Sequence, residues 1–212
     1  MAEQLVVPGV DLSTVVVDDN PLEFYRTPAW VIRTLFRRMP APTIVCDPFA
    51  GDGAILDAAR DFFGPQVKTV GIELDPERAA ICVSKGHKVV EADAFKHEWP
   101  TADAYVTNPP HSRSMEALAI ATQRVQVTEK AQGNRVSMLL RSAIMETKER
   151  NAFFVANPPF QEILVPRRIP FTGKETDKWC CSWFVWDDGV ADSTLRTLLP
   201  YDECSEDFKE TV

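Results

Sequence analysis

The sequence predicts an α/β fold with a mostly parallel central sheet, closed near its C-terminal end by an antiparallel hairpin. Three observations carry that prediction. Short apolar runs alternate with helical segments from residue 43 to residue 156, the pattern of right-handed βαβ units. Two later β-rich runs have only a polar loop between them, so they pair antiparallel. The chain has 212 residues, and a chain of that size buries roughly 70% of its unfolded surface without needing staples.

The elements follow in order. Residues 1–22 mix valines with Asp18-Asp19-Asn20-Pro21 and read as an arm ending in a turn. Residues 29–39 place Trp30, Val31, Ile32, Leu35 and Phe36 at near-helical spacing, and Thr27-Pro28 reads as a cap followed by proline at the first helical position. Strands are expected at 43–46, 68–72, 88–91, 104–107 and 135–140, with helices at 54–62, 76–84, 115–132 and 146–156. The runs 161–165 and 182–186 form the closing hairpin. The division is an N-terminal arm at 1–22, one domain at 23–187 and an acidic tail at 188–212.

Charge and cysteine usage narrow the function classes. Residues 187–212 hold eight acids against two bases, so six of the eight net negative charges sit there. The remaining body is near neutral and can present a local basic face. It is not built to coat nucleic acid non-specifically. The five cysteines are odd in number and form no C-x-x-C pair, which fits neither a disulfide framework nor a zinc site. His87 and His97 have no partners at metal spacing, so no metal is expected. The N-terminus does not read as a signal peptide, and no apolar run reaches the length of a membrane span. The expectation is a cytoplasmic protein.

Two motifs carry the chemistry. Asp47-Pro48-Phe49-Ala50-Gly51-Asp52-Gly53 is a strand-to-helix turn whose glycines let backbone approach a ligand without a Cβ clash. Ligands of open parallel sheets sit beyond the carboxyl ends of the strands. Three acids fall there: Asp47, then Glu73 26 residues on, then Asp93 after a further 20. Glu73 can accept two ribose hydroxyls. Asp93 can accept an adenine amine, with Ala94 and Phe95 beside the ring. A dinucleotide fold would want a third glycine at position 56, which is Leu, and Asp52 would oppose a pyrophosphate. S-adenosylmethionine (SAM) has no phosphate and suits the turn.

The second motif is Asn108-Pro109-Pro110-His111, directly after the fourth strand. The prolines stiffen the loop and leave the Pro109 carbonyl as an acceptor. The Asn108 side-chain oxygen is another. Two acceptors on the two hydrogens of an exocyclic base amine draw it towards sp³ geometry and aim its lone pair at a methyl donor, by positioning and electrostatics alone. His111 supplies a planar ring to stack on a base taken out of its helix. A second copy of the motif, Asn157-Pro158-Pro159-Phe160, follows a helix and leads into a strand. That puts it at the opposite edge of the sheet, as a helix stop.

These residues resemble the amino-methyltransferases of DNA, most closely the short N6-adenine methyltransferases of phages and prophages, over most of residues 23–187. The resemblance implies a Rossmann-like class I SAM-dependent methyltransferase fold, SAM as cofactor and DNA as substrate. It implies that Phe24-Tyr25-Arg26-Thr27-Pro28 contacts the methionine carboxylate, with Tyr25, Thr27 and Pro28 in the cofactor set. Asp47, Phe49, Gly51 and Gly53 form the glycine turn. Glu73 and Leu74 lie at the ribose, Asp93, Ala94 and Phe95 at the adenine, and Asn108, Pro109, Pro110 and His111 form the catalytic loop, with Asn108 also in the cofactor set. His111 stands where the family usually has Tyr, Phe or Trp. Segment 166–181 carries Arg167, Arg168, Lys174 and Lys178 with Phe171 and Trp179 interleaved, a composition suited to phosphates and bases. With Arg113 it forms the expected nucleic-acid-binding set. The chain shows no separate target-recognition domain, so a protein partner or a second copy of the chain is expected to supply recognition. The same loop chemistry serves N4 of cytosine, RNA or a protein amide, and an inactive SAM- or DNA-binding subunit is the non-enzyme alternative.

Overall fold

The computed structural model describes residues 23–127, 135–171, 178–187 and 194–200, with only the backbone of 124–127. The N-terminal arm, Lys174 and most of the acidic tail lie outside the described residues.

Helix α1 (Ala29–Phe36) buries Trp30, Val31, Ile32, Leu35 and Phe36. Its N-cap is Pro28, not Thr27. The Thr27 hydroxyl is instead engaged by the Asn108 amide, and the amides of Val31 and Ile32 reach the Pro28 carbonyl. The expected alternation then follows: β1 (Ile44–Asp47), α2 (Ala54–Phe63), β2 (Lys68–Glu73), α3 (Pro76–Ser84), β3 (Lys88–Glu91) and β4 (Ala104–Thr107). Asp75 caps α3, accepting from the amides of Glu77 and Arg78 at 2.9 and 3.0 Å, with Pro76 preorganised at the first helical position. A single 3-10 turn at His111–Arg113 leads into α4 (Ser114–Val127), then β5 (Arg135–Arg141) and α5 (Lys148–Ala156). Strands β6 (Gln161–Leu164), β7 (Cys181–Asp187) and β8 (Leu195–Leu198) are the last elements of the described residues.

All eight strands form one sheet, in the order β3-β2-β1-β4-β5-β7-β6-β8. The five from β3 to β5 are parallel. β7 runs antiparallel to both β5 and β6, so the last two expected strands do pair antiparallel, but β7 is inserted between β5 and β6 rather than closing the edge. β8 was not expected from the sequence. It lies within the acidic stretch and pairs parallel with β6. Arg196 of β8 reaches the buried carboxylate of Glu162 at 3.1 Å, which Ser182 also contacts at 2.9 Å.

Side chains alternate across the sheet. One face packs Val45, Ala104, Val106, Leu139, Trp183 and Val185 against α1 and α2. The other packs Cys46, Ile72, Tyr105, Met138, Leu140 and Phe184 against α4, α5 and the 94–102 segment. The central β4 is buried along its whole length. Trp183, fully buried, donates its indole N–H to the Val31 carbonyl at 3.0 Å and so ties β7 to α1. Trp183→Ala is expected to cost about 3–5 kcal/mol, the usual loss for a buried aromatic, measured as a lower denaturant midpoint with unchanged slope.

Candidate functional site

The centre of the carboxyl edge is fixed by Asp47 and Thr107, the last residues of the neighbouring strands β1 and β4. The Thr107 hydroxyl donates to Asp47 Oδ1 at 2.7 Å, and the Phe49 amide reaches the same oxygen at 3.1 Å. Above them opens a cavity of about 400 Å³. Burial pushes the Asp47 carboxyl up to about 7; the donations from Thr107 and Phe49 oppose the shift, and the nearby charge of Glu73 adds to it.

The structure brings eleven of the expected cofactor residues into the cavity wall: Tyr25, Thr27, Asp47, Phe49, Gly51, Glu73, Leu74, Asp93, Ala94, Phe95 and Asn108. Pro28 and Gly53 lie outside it, as the N-caps of α1 and α2. Both glycines of the turn have positive φ, +55° at Gly51 and +85° at Gly53. The space at each is used by protein. A Cβ on Gly51 would overlap the ring of Phe24, and one on Gly53 would press on Cys82 Sγ and the His87 ring.

His87 thus has a place that metal spacing did not reveal. Its buried ring bridges Thr69 Oγ1 at 2.8 Å and Asp57 Oδ1 at 3.0 Å, beneath the turn. Burial lowers its pKa against the pull of Asp57, so the ring is neutral at pH 7. Lys85 binds the other Asp57 oxygen at 2.8 Å and the Asp52 carbonyl at 2.6 Å, clamping the turn to α2.

Glu73 is buried, and both its oxygens are engaged. Oε2 accepts from the Gly51 amide at 2.7 Å, and Oε1 from the Asp75 amide at 2.9 Å and Arg78 at 3.2 Å. Carboxylate oxygens carry further lone pairs for hydroxyl donors. Asp93 accepts from the Phe95 amide at 3.0 Å. The Phe49 and Phe95 rings lie 4.9 Å apart, and the Arg113 guanidinium sits 3.4 Å from the Phe95 ring centroid, held by two bonds to Glu116. Arg113, expected to meet nucleic acid, is therefore part of the cavity wall.

Residues 23–27 form a strap across the cavity. Arg26 pairs with Asp52 at 2.6 Å, Glu23 accepts from the Ser112 hydroxyl at 2.7 Å, and Phe24 lies under Arg78. The Asn108 amide nitrogen donates to the Tyr25 carbonyl and to Thr27 Oγ1, both at 3.1 Å. This fixes the amide orientation and leaves Oδ1 buried without a partner among the described residues. Such an atom costs about 1–3 kcal/mol when nothing meets it. Asn108, Pro109 and Pro110 line the cavity. His111 lies beside it, packed on Tyr25 at 4.9 Å and Phe171 at 5.9 Å, while Tyr25 and Phe171 are 5.6 Å apart.

The described parts of segment 166–181, residues 166–171 and 178–181, reach the same end of the sheet. Phe171 is buried in the ring cluster, Arg167 is half-buried, and Arg168 and Lys178 are exposed. The second Asn-Pro-Pro sequence lies at the amino end of β6, where the Asn157 carbonyl accepts from the Trp186 indole at 3.0 Å. Among the described residues no three potential metal ligands cluster, and no helix is long and apolar enough to cross a membrane.

The buried Asp47 carboxyl predicts a pH signature. Its folded pKa, about 7, lies above the ordinary carboxyl value of 3.8, so the folded state holds a proton that the unfolded state has released. Stability falls as pH rises from about 4 to 7, by up to about 1.4 kcal/mol per unit for this group. Asp47→Asn is expected to remove that slope, and the stability gap between variant and parent should widen across this window and stay level above it. Urea melts at a series of pH values measure it.

No family model matches the chain, and no curated protein is similar to it in sequence. Solved structures are similar in fold. A class I SAM-dependent methyltransferase from Listeria monocytogenes, described as putative, matches with a TM-score of 0.64 at 11% identity, over 87% of this chain and 70% of that one. A modification subunit of a putative type I restriction enzyme from Vibrio vulnificus matches at 0.62 and 15%, over 88% and 51%. The methyltransferase subunit of a type I restriction-modification system from Streptococcus thermophilus matches at 0.61 and 14%, over 76% and 44%. The chain spans about half the length of the two restriction-modification subunits. At these identities the likeness is one of fold, and the fold is the Rossmann-like one of class I SAM-dependent methyltransferases.

Proposed function

We propose that the protein is a SAM-dependent methyltransferase acting on the exocyclic N6 amine of adenine in DNA. The observation that carries this reading is the Asn108 amide. Its nitrogen is committed to the strap, and its buried oxygen meets no donor among the described residues. An acceptor held that way at a cavity wall suits a ligand N–H.

The cavity residues fit SAM. A buried carboxyl raised to about 7 at Asp47 is relieved by a cation, and Glu73 and Asp93 offer acceptors to hydroxyls and an amine. The tilted rings of Phe49 and Phe95 offer an aromatic wall. Asp52 in the glycine turn disfavours a phosphorylated cofactor. SAM supplies an electrophilic methyl group. The chain's residues then do the rest. Asn108 Oδ1 and the Pro109 carbonyl accept the two hydrogens of the amine and localise its lone pair. The Tyr25, His111 and Phe171 rings hold the base plane. No residue needs to act as a strong base, because the amine proton is acidified only after methylation and can leave to water. The likeness to restriction-modification subunits supports DNA as the substrate class.

Transfer from labelled SAM to unmethylated DNA, followed by nucleoside mass spectrometry, is expected to put label in N6-methyladenine. Label in N4-methylcytosine or in RNA would change the substrate and keep the mechanism. SAM binding without transfer to any nucleic acid or protein amide would overturn the enzyme reading. Asn108→Ala should lower kcat by at least about 100-fold, the usual cost of losing one preorganised electrostatic contact, with SAM binding retained by calorimetry.

A further inference from the structure

Beyond the cavity, the carboxyl edge carries a second polar feature that the reaction does not use. Arg141 ends β5, and its Nε is buried without a partner among the described residues. β4 and β5 are in register at Thr107 and Met138, so Arg141 lies three residues further on, about 10 Å beyond the level of Thr107. Alternation along β5 puts Arg141 on the face of Leu139, its cross-strand partner being Cys181. Phe171 and Ile169 belong to that same face, and Phe171 packs on Tyr25 and His111.

The Arg141 guanidinium lies 5.5 Å from the ring centroid of Trp179. Trp179 is 48% exposed, whereas Trp30, Trp99, Trp183 and Trp186 are all buried. An exposed indole is out of place for stability, since its apolar area gains nothing in water. Lys178 beside it and Arg168 are exposed as well, in a chain whose net charge is −8. A guanidinium set against a half-exposed indole, with local positive charge beside them, matches a strand of nucleic acid.

We propose that Arg141 and Trp179 form a subsite for the nucleotide adjacent to the target base in single-stranded or locally opened DNA. Arg141 donates to the backbone phosphate, and Trp179 stacks on the flanking base. The assignment rests on the base-amine reading above and extends it, since it names an unpaired flank as part of the substrate.

The test uses the full chain and a short single-stranded DNA oligonucleotide. Because Trp179 is the exposed one of the five tryptophans, bound DNA should quench emission in the parent and not in Trp179→Leu. That surface variant should raise KM for the oligonucleotide about tenfold, within the range for one lost stacked base, while KM for SAM stays put. Arg141→Gln should lower the salt slope of binding by about 0.7, the value for one single-strand phosphate. Quenching that persists in Trp179→Leu, or an unchanged KM, overturns the subsite. Quenching by RNA and not by DNA overturns the DNA assignment. Methyl transfer to DNA without quenching removes the subsite and keeps the proposed function. Quenching without any methyl transfer keeps the subsite and removes the function.

Discussion

The hydrogen bond from Thr107 to Asp47 holds together everything above the sheet. β1 and β4 are neighbours, and each ends on one of these residues. The glycine turn leaves from one and the Asn-Pro-Pro loop from the other. A single contact at 2.7 Å therefore sets the separation between the glycine turn and the Asn-Pro-Pro loop. It does so in a buried setting where the carboxyl carries an electrostatic penalty. The same burial that makes Asp47 costly also makes it responsive to a nearby positive charge, because fields act further where water is excluded.

The turn above Asp47 is rigid for reasons internal to the protein. Left-handed backbone at two glycines is one constraint. The other is contact from both sides, Phe24 above Gly51 and His87 with Cys82 below Gly53. Lys85 fastens the intervening carbonyl to Asp57. A loop supported in this way keeps its shape with or without a ligand, which is what low reorganisation at a binding site requires.

Much of this was legible in the sequence, and the reason is periodicity. Asp47, Glu73, Asp93 and Asn108 each follow a short apolar run, so a parallel sheet brings them to one edge whatever the details. The Asn157 sequence could be set aside on the same logic, since it follows a helix. What was not legible depends on contacts across space. Thr27 looked like a helix cap, but its hydroxyl meets a side chain 81 residues away. His87 looked idle because its partners, Thr69 and Asp57, lie on other elements. The ligand-approach argument for the glycines missed that Phe24 and His87 occupy the space. β8 was hidden because four residues with an exposed pattern in an acidic run carry no strand signal. Its anchor is an ion pair with a buried glutamate that only topology brings near.

The strap over the cavity has a bearing on how the molecule breathes. Its polar ties join residues 26, 81, 83 and 89 positions apart, beside the packing of Phe24 on Arg78 and of Tyr25 on His111 and Phe171. Contacts of such long sequence separation form late, after the sheet has closed the intervening loops. The strap is therefore ordered by the finished sheet rather than by its own short length. The same five residues wall the cavity and orient the Asn108 amide, so any displacement of the strap would be felt at both.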